Sequence, residues 1–271
     1  AAILDPDVQC ALDTPDSALA RRVSNELTRF GNQADDSGGT PFANTPQGLV
    51  LALTLQVACD GRDPNDLLAL LKHPMVHLGF DSQAYRQFAD LFELIVLRGG
   101  QRRFSIGNLT AGLTSNLRAL DTMSGSRRLP RSAPDLTDTL RQSLANFTEK
   151  LESHLSGFRE QLDENTPVPL SELARRTTAL LEALACDSDG IIPALYAEDA
   201  GALLSDALAT LCDPDLTTEV TLETWPGIVK ALMAGSVVKP DYGGHPRISI
   251  WGTLEARLQH VDFMVLGGLN E

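Results

Sequence analysis

A chain of 271 residues with 43% hydrophobic and 21% charged side chains has the length and composition of a globular protein with a sizeable core. Its formal charge of −14 argues against a surface built to coat nucleic acid, although a local basic track is compatible with that sum. Cys10, Cys59, Cys186 and Cys212 lie far apart without a C-x-x-C pair. Neither a metal set nor a disulfide framework is expected, and the preferred reading is free thiols in a reducing cytosol.

The opening residues AAILDPDVQ lack the basic start and long apolar run of a signal peptide, and no stretch approaches the roughly 18 apolar residues of a membrane helix. A soluble, cytoplasmic protein without a membrane partner is the expectation. Val8–Leu12 then reads as a buried strand. Thr14-Pro15 offers a hydroxyl N-cap and a proline at the first helical position, and Leu19, Val23, Leu27 and Phe30 repeat at helical spacing up to Gly31. Strand, capped helix and terminal glycine make half of an α/β unit.

Ala34–Asn44 is rich in turn formers and reads as a loop. Thr45-Pro46 and Asp63-Pro64 start two further helices, the second ended by Pro74. Asp81 to Arg98 reads as an amphipathic helix with Phe88, Leu91, Phe92 and Ile95 on one face. Residues 99–135 are loop-like and hold Arg102, Arg103, Arg127, Arg128 and Arg131 in an otherwise acidic chain. Leu136–Leu162, Pro169–Cys186, Glu198–Leu211 and Val220–Ala234 are expected helices. Strand character returns at Ile248–Ile250 and Phe263–Leu266, separated by the helix-like TLEARLQ, and a parallel pairing of these two strands is expected. The outline is a helix-rich α/β protein whose two ends rejoin in one sheet around about 180 inserted helical residues.

The search for chemistry excludes more than it finds. G-x-x-x-x-G-K-[ST], G-x-G-x-x-G and G-x-S-x-G are all missing, so no ATPase, dinucleotide or serine-hydrolase signature stands. His73 and His77 are four apart, but Pro74 breaks any helix between them and no third ligand is near. Asp35-Asp36, Asp187/Asp189 and Asp213/Asp215 sit in turn contexts that favour aspartate for backbone bonding, without the nearby lysine of a nuclease site. No catalytic residue, metal ligand or cofactor site is expected. The arginines between 98 and 131 suit either phosphate contact or a solvated segment without a partner. Trp225 and Trp251 can stack on bases, although packing is the commoner role of tryptophans so placed.

Four stretches in order, DTPDSALARRVSNELTRFG, DDSGGTPFANTPQG, LLALLKHPM and HPRISIWGTLEARLQHVDFMVLGGLNE, resemble the AddB family of the bacterial AddAB-type double-strand-break repair complexes. In that family the last stretch runs on into Gly-x-Trp-Pro. The resemblance implies an internal piece of such a subunit: the second RecA-like domain of a superfamily 1 helicase fold, over 1–60 and 240–271, with an inserted helical subdomain over 61–239. In working motors the turn after the returning strand carries a His-x-x-Lys-Gly-like pattern. Here Gly252–Arg257 reads GTLEAR, which implies a degenerate helicase domain that holds DNA without driving it. Implied partners are single-stranded DNA or broken duplex ends and an AddA-like helicase–nuclease subunit. Arg257, with the five arginines of the 99–135 segment, is the implied phosphate contact. Two other readings stand beside this one: a stand-alone helical interaction module with no nucleic-acid role, which the −14 charge favours, and an α/β enzyme of another family.

Overall fold

A computed structural model describes residues 7–61, 63–98, 105–122, 134–160, 162, 166–192, 194–239 and 245–268. The chain divides into a sheet unit and a helical unit, changing over at Phe42/Ala43 and Ala234/Gly235. The boundaries expected from the sequence are 60/61 and 239/240.

The sheet unit is built from the two ends of the chain. Strands β1 (Cys10–Asp13), β2 (Ala34–Asp36), β7 (His245–Trp251) and β8 (Phe263–Leu266) form one parallel sheet in the order β2-β7-β1-β8. The expected pairing of β7 with β8 is corrected: β1 lies between them, with Cys10–Asp13 in register with Ile248–Trp251 on one side and Phe263–Leu266 on the other. Both apolar runs gain more by flanking the central strand than by pairing with each other, because a central parallel strand satisfies its backbone on two sides. β2 is a strand where a loop is expected. Ala-Asp-Asp has little strand propensity, and β7 recruits it by direct pairing, with a register shift between Ala34 and Asp35.

Helix α1 (Ser17–Arg29) covers one face of the sheet. Ala20, Val23 and Leu27 pack with Cys10 and Leu12 against Ala34, Ile248 and Ile250. The cap falls two residues later than expected. Asp16 Oδ1 accepts from the N–H of Ala18 and Leu19, while Thr14 Oγ1 accepts from the N–H of Asp16. Gly31, with φ of +76°, stands one residue past the Phe30 C-cap, as the glycine at a helix end should. A short antiparallel pair, β3 (Thr40–Pro41) and β6 (Val237–Val238), completes this unit.

The helical unit contains α2 (Pro46–Cys59), α3 (Pro64–Leu71), α4 (Ser82–Phe92), α5 (Leu109–Asp121), α6 (Asp138–Arg159), α7 (Leu170–Ala185), α8 (Glu198–Leu211) and α9 (Trp225–Met233), with a two-residue pair β4 (Val168–Pro169) and β5 (Glu219–Val220). α2 is apolar on most sides because it is central, packing against α3, α6, α7, α8 and α9. Thr45 caps it, its Oγ1 accepting from Gly48 N–H at 3.1 Å. α4 widens at its end into a π-helical turn, Glu93–Leu97, so the expected helix to Arg98 is α-helical only to Phe92. The Glu93 carboxylate there is held by Lys72 at 3.2 Å and Arg98 at 2.7 Å. α5 corrects the loop expected over 99–135: Leu109 and Leu113 are buried at helical spacing inside a Gly-, Ser- and Thr-rich stretch.

Burial of histidine sets an acid limit on this unit. His73 is 6% exposed, and burial pushes its imidazole below the ordinary value of 6.5; burial and then the Lys150 charge do the same for His154. A lowered folded-state value means the unfolded chain takes up the proton first. The contribution is complete above about pH 6.5 and is lost as pH falls from there through the folded-state value. Urea midpoints are therefore expected to fall from pH 7 to pH 5, and His73→Gln to flatten that slope. An unchanged slope in the variant would remove His73 from the account. Glu93, lowered by Arg98 and Lys72 against the opposing effect of burial, acts only below its ordinary value of 4.5, outside this window.

Candidate functional site at the carboxyl edge of the sheet

The chain leaves β1 across β7 to reach β2, and leaves β7 across β1 to reach β8. Both connections start at the carboxyl ends of the adjacent strands β1 and β7 and pass over one another's strand in opposite directions, and the carboxyl edge is where open parallel sheets receive ligands. Trp251, Asp13 and Leu266 stand in register across β7, β1 and β8 there, and so leave the sheet on one face, opposite the Cys10–Leu12 face that packs on α1. Thr14 N–H donates to Trp251 O at 3.0 Å and Gly267 N–H to Asp13 O at 2.9 Å, fixing the three strand ends. Asp13 Oδ1 is buried and has no hydrogen-bond partner among the described residues, so the edge holds an acceptor open to a donor.

Gly252–Glu255 turns the chain out of β7. Ala256 N–H donates to Gly252 O, and the Glu255 carboxylate folds so close to Gly252 that a Cβ there would lie 2.6 Å from Oε2. The expected helix over TLEARLQ is a single 3-10 turn, Glu255–Leu258, because Leu254 and Leu258 find no core and remain exposed. Arg257 sits exposed in that turn.

The other end of the edge is acidic. Burial pushes the Asp36 carboxyl up and the neighbouring Asp35 charge adds to this, against hydrogen bonds from Gly38 and Gly39 N–H and the Lys239 charge. Asp16 and Glu255 add further carboxylates, so the edge repels a phosphate chain except near Arg257 and Lys239.

Of the residues the sequence singles out, Arg257 is an exposed residue of the turn that follows β7. Arg102, Arg103, Arg127, Arg128 and Arg131 lie outside the described residues. Trp225 is fully buried in the helical unit, its Nε1–H donating to Thr177 Oγ1 at 2.9 Å, which is packing. Trp251 is half-buried and faces the same side as Asp13. Asp13 has no signal in its own neighbourhood of sequence; only the register across three strands brings it beside Trp251. Among the described residues no group of three or more His, Cys, Asp or Glu is placed to hold a metal ion. Among the same residues no helix is long and apolar enough to cross a membrane.

Neither a scan against protein-family models nor a search of curated proteins finds a match to this chain.

Proposed function

We propose that this chain is the degenerate second helicase domain, with its inserted helical subdomain, of an AddB-like subunit of a double-strand-break repair helicase–nuclease, and that it guides a DNA strand and docks an AddA-like partner. One observation carries the reading: the two ends of the chain form one parallel sheet, and a helical unit of almost two hundred residues is inserted between them in sequence. That is the organisation the AddB resemblance implies for a second RecA-like domain with an insertion. The turn after β7 supports the non-motor half of the reading, since Gly252–Arg257 offers one exposed guanidinium and no histidine or lysine. Such a chain performs no ATP hydrolysis and no strand cleavage. Arg257 holds a phosphate as a charge-assisted donor, and Trp251 offers an indole face to an unpaired base.

Fluorescence anisotropy of labelled single-stranded DNA against salt tests this. Affinity is expected to fall with a log–log slope of about −0.7 for each phosphate neutralised, and Arg257→Ala to lower that slope by roughly one contact. DNA binding is refuted if no salt-dependent affinity exists even at low ionic strength. Retention of an AddA-like motor subunit in a pull-down tests the docking half separately. The acidic sheet edge favours a second reading, a protein-interaction module without a nucleic-acid role. Capture of another protein while both DNA and the motor subunit are ignored would select it.

A further inference from the structure

The two edges of the parallel sheet are unlike. β2 forms one edge and carries Asp35 and Asp36, and charged side chains are a usual protection of an edge strand against stray pairing. β8 forms the other edge with Phe263-Met264-Val265-Leu266, which holds no charge, no proline and no bulge. These four residues are 55%, 39%, 48% and 57% exposed. Strand alternation puts Phe263 and Val265 on the α1 face and Met264 and Leu266 on the opposite one, so β8 is apolar and open on both. Among the described residues, none from β8 belongs to the cluster buried beneath α1.

The backbone of β8 is only half used. Phe263 N–H donates to Gln9 O at 3.0 Å and Gly267 N–H to Asp13 O at 2.9 Å, which turns the odd-numbered residues of β8 toward β1. The N–H and C=O of Met264 and Leu266 therefore point away from the sheet and find no partner among the described residues. A small apolar molecule would cover the side chains and leave these four groups unpaired; another strand satisfies both. Over two copies of the chain the four β8 residues would withdraw roughly 800 Å² from water, the size of a weak contact. Leu254 and Leu258, 70% and 89% exposed around the turn that leads to β8, raise the sum to roughly 1,400 Å², within the range of stable specific interfaces.

We propose that β8 pairs antiparallel with β8 of a second copy of this chain, across a twofold axis through Val265, joining two four-stranded sheets into one. The outward backbone groups set the register. Met264 exchanges both hydrogen bonds with Leu266 of the second copy, and Leu266 with its Met264, as a self-complementary twofold contact requires. Val265 then faces Val265 of the second copy, and Phe263 lies over its Gly267, where no side chain competes for the space. The charge of −14 on each chain does not oppose this contact, because Phe263–Gly268 carries none. The nearest carboxylate in sequence, Asp262, accepts from Gln9 N–H at 2.9 Å and stands about 20 Å from its copy, beyond the screening length at physiological salt. The proposal does not depend on the DNA reading.

Sedimentation equilibrium of the whole chain between about 1 and 300 μM is expected to show the mass rising from one chain toward two, a micromolar or weaker pair at this area. Val265→Lys sets two ammonium groups opposite each other on the axis and is expected to weaken pairing roughly tenfold or more. The emission of Trp251, in β7 of the same sheet, checks that the variant is folded. Cysteine cross-linking reads the register. Val265→Cys is expected to give a disulfide-linked pair under mild oxidation, because residues opposite each other in a non-hydrogen-bonded pair bring their Cα atoms to about 4.5 Å. Met264→Cys is expected to stay unlinked, since Met264 and its copy are diagonal neighbours about 8 Å apart. The parent chain, with Cys10, Cys59, Cys186 and Cys212, is the oxidation control. A mass of one chain at every concentration, unchanged pairing in folded Val265→Lys, or cross-linking of Met264→Cys in place of Val265→Cys would overturn the proposal.

Discussion

Gly201→Ala is expected to destabilise the helical unit by about 3 kcal/mol or more, because the added methyl has nowhere to go. Gly201 lies in the first turn of α8, and a Cβ built there would stand 2.2 Å from the carbonyl carbon of Tyr196 and 2.7 Å from its Cα and O. These are backbone atoms, so no side-chain rotation relieves the overlap. The neighbourhood is already constrained: Gly201 N–H donates to Ala197 O at 3.0 Å, and Glu198 holds φ of +57°, a strained value for a residue with a Cβ. Gly112, inside α5, would meet nothing within 4 Å, and Gly112→Ala is expected to stabilise by about 0.5–1 kcal/mol through lower unfolded-state entropy. Urea unfolding in a Trp251→Phe background isolates the signal of Trp225, which is buried in the helical unit. Equal midpoints for Gly201→Ala and the parent would show that α8 does not press on Tyr196.

Phe147→Ala is the second large effect, expected at about 3–5 kcal/mol, with a fall in thermal midpoint of about 10 °C for a unit of this size. Phe147 is fully buried on α6. Its ring stands 5.7 Å from Tyr85, 5.9 Å from Phe80 and 6.0 Å from both Phe88 and Phe92, all tilted or edge-on. Each such pair adds about 0.5–1.5 kcal/mol beyond area burial, although values within one cluster do not sum. Phe147→Leu keeps apolar volume and loses the ring contacts, so the gap between the two variants measures the aromatic part. A loss under 1.5 kcal/mol for alanine would mean that α4 and α6 collapse onto the vacancy.

This cluster qualifies what composition suggests. Only 5% of residues are aromatic, and the core is expected to rest on Leu, Ala and Val. It does so around α2 and α7, but Tyr85, Phe88, Phe92 and Phe147 gather where α4 meets α6. The individual positions are legible in the helical spacing; that they face one another is not, because helix pairing depends on the path between them.

Helix existence is the most legible level. α8 runs over Glu198–Leu211 as the spacing predicts, and α2 starts on Thr45-Pro46. Both follow from caps and a 3.6-residue apolar period, which act within a few residues. The short strand β8 is equally plain, an unbroken apolar run at Phe263–Leu266. The errors lie where local preference is weak. α5 is hidden by Gly112 and its hydroxyl residues, β2 has no strand propensity, and TLEARLQ makes one turn for lack of a face to bury.

The candidate sites divide in the same way. Arg257 and the missing Lys-Gly pair can be read directly along the chain. The Trp251–Asp13–Leu266 row cannot, since it exists only after β1 enters between β7 and β8 from more than two hundred residues away. That His77 Nδ1 finds no partner among the described residues is also invisible in HPMVH, because α7 holds that loop through Leu184 O. Caps and periodicity are short-range energies written into neighbouring residues. Strand order, register and the side chains left without partners come from burial and backbone pairing between distant segments, and only the assembled fold decides those.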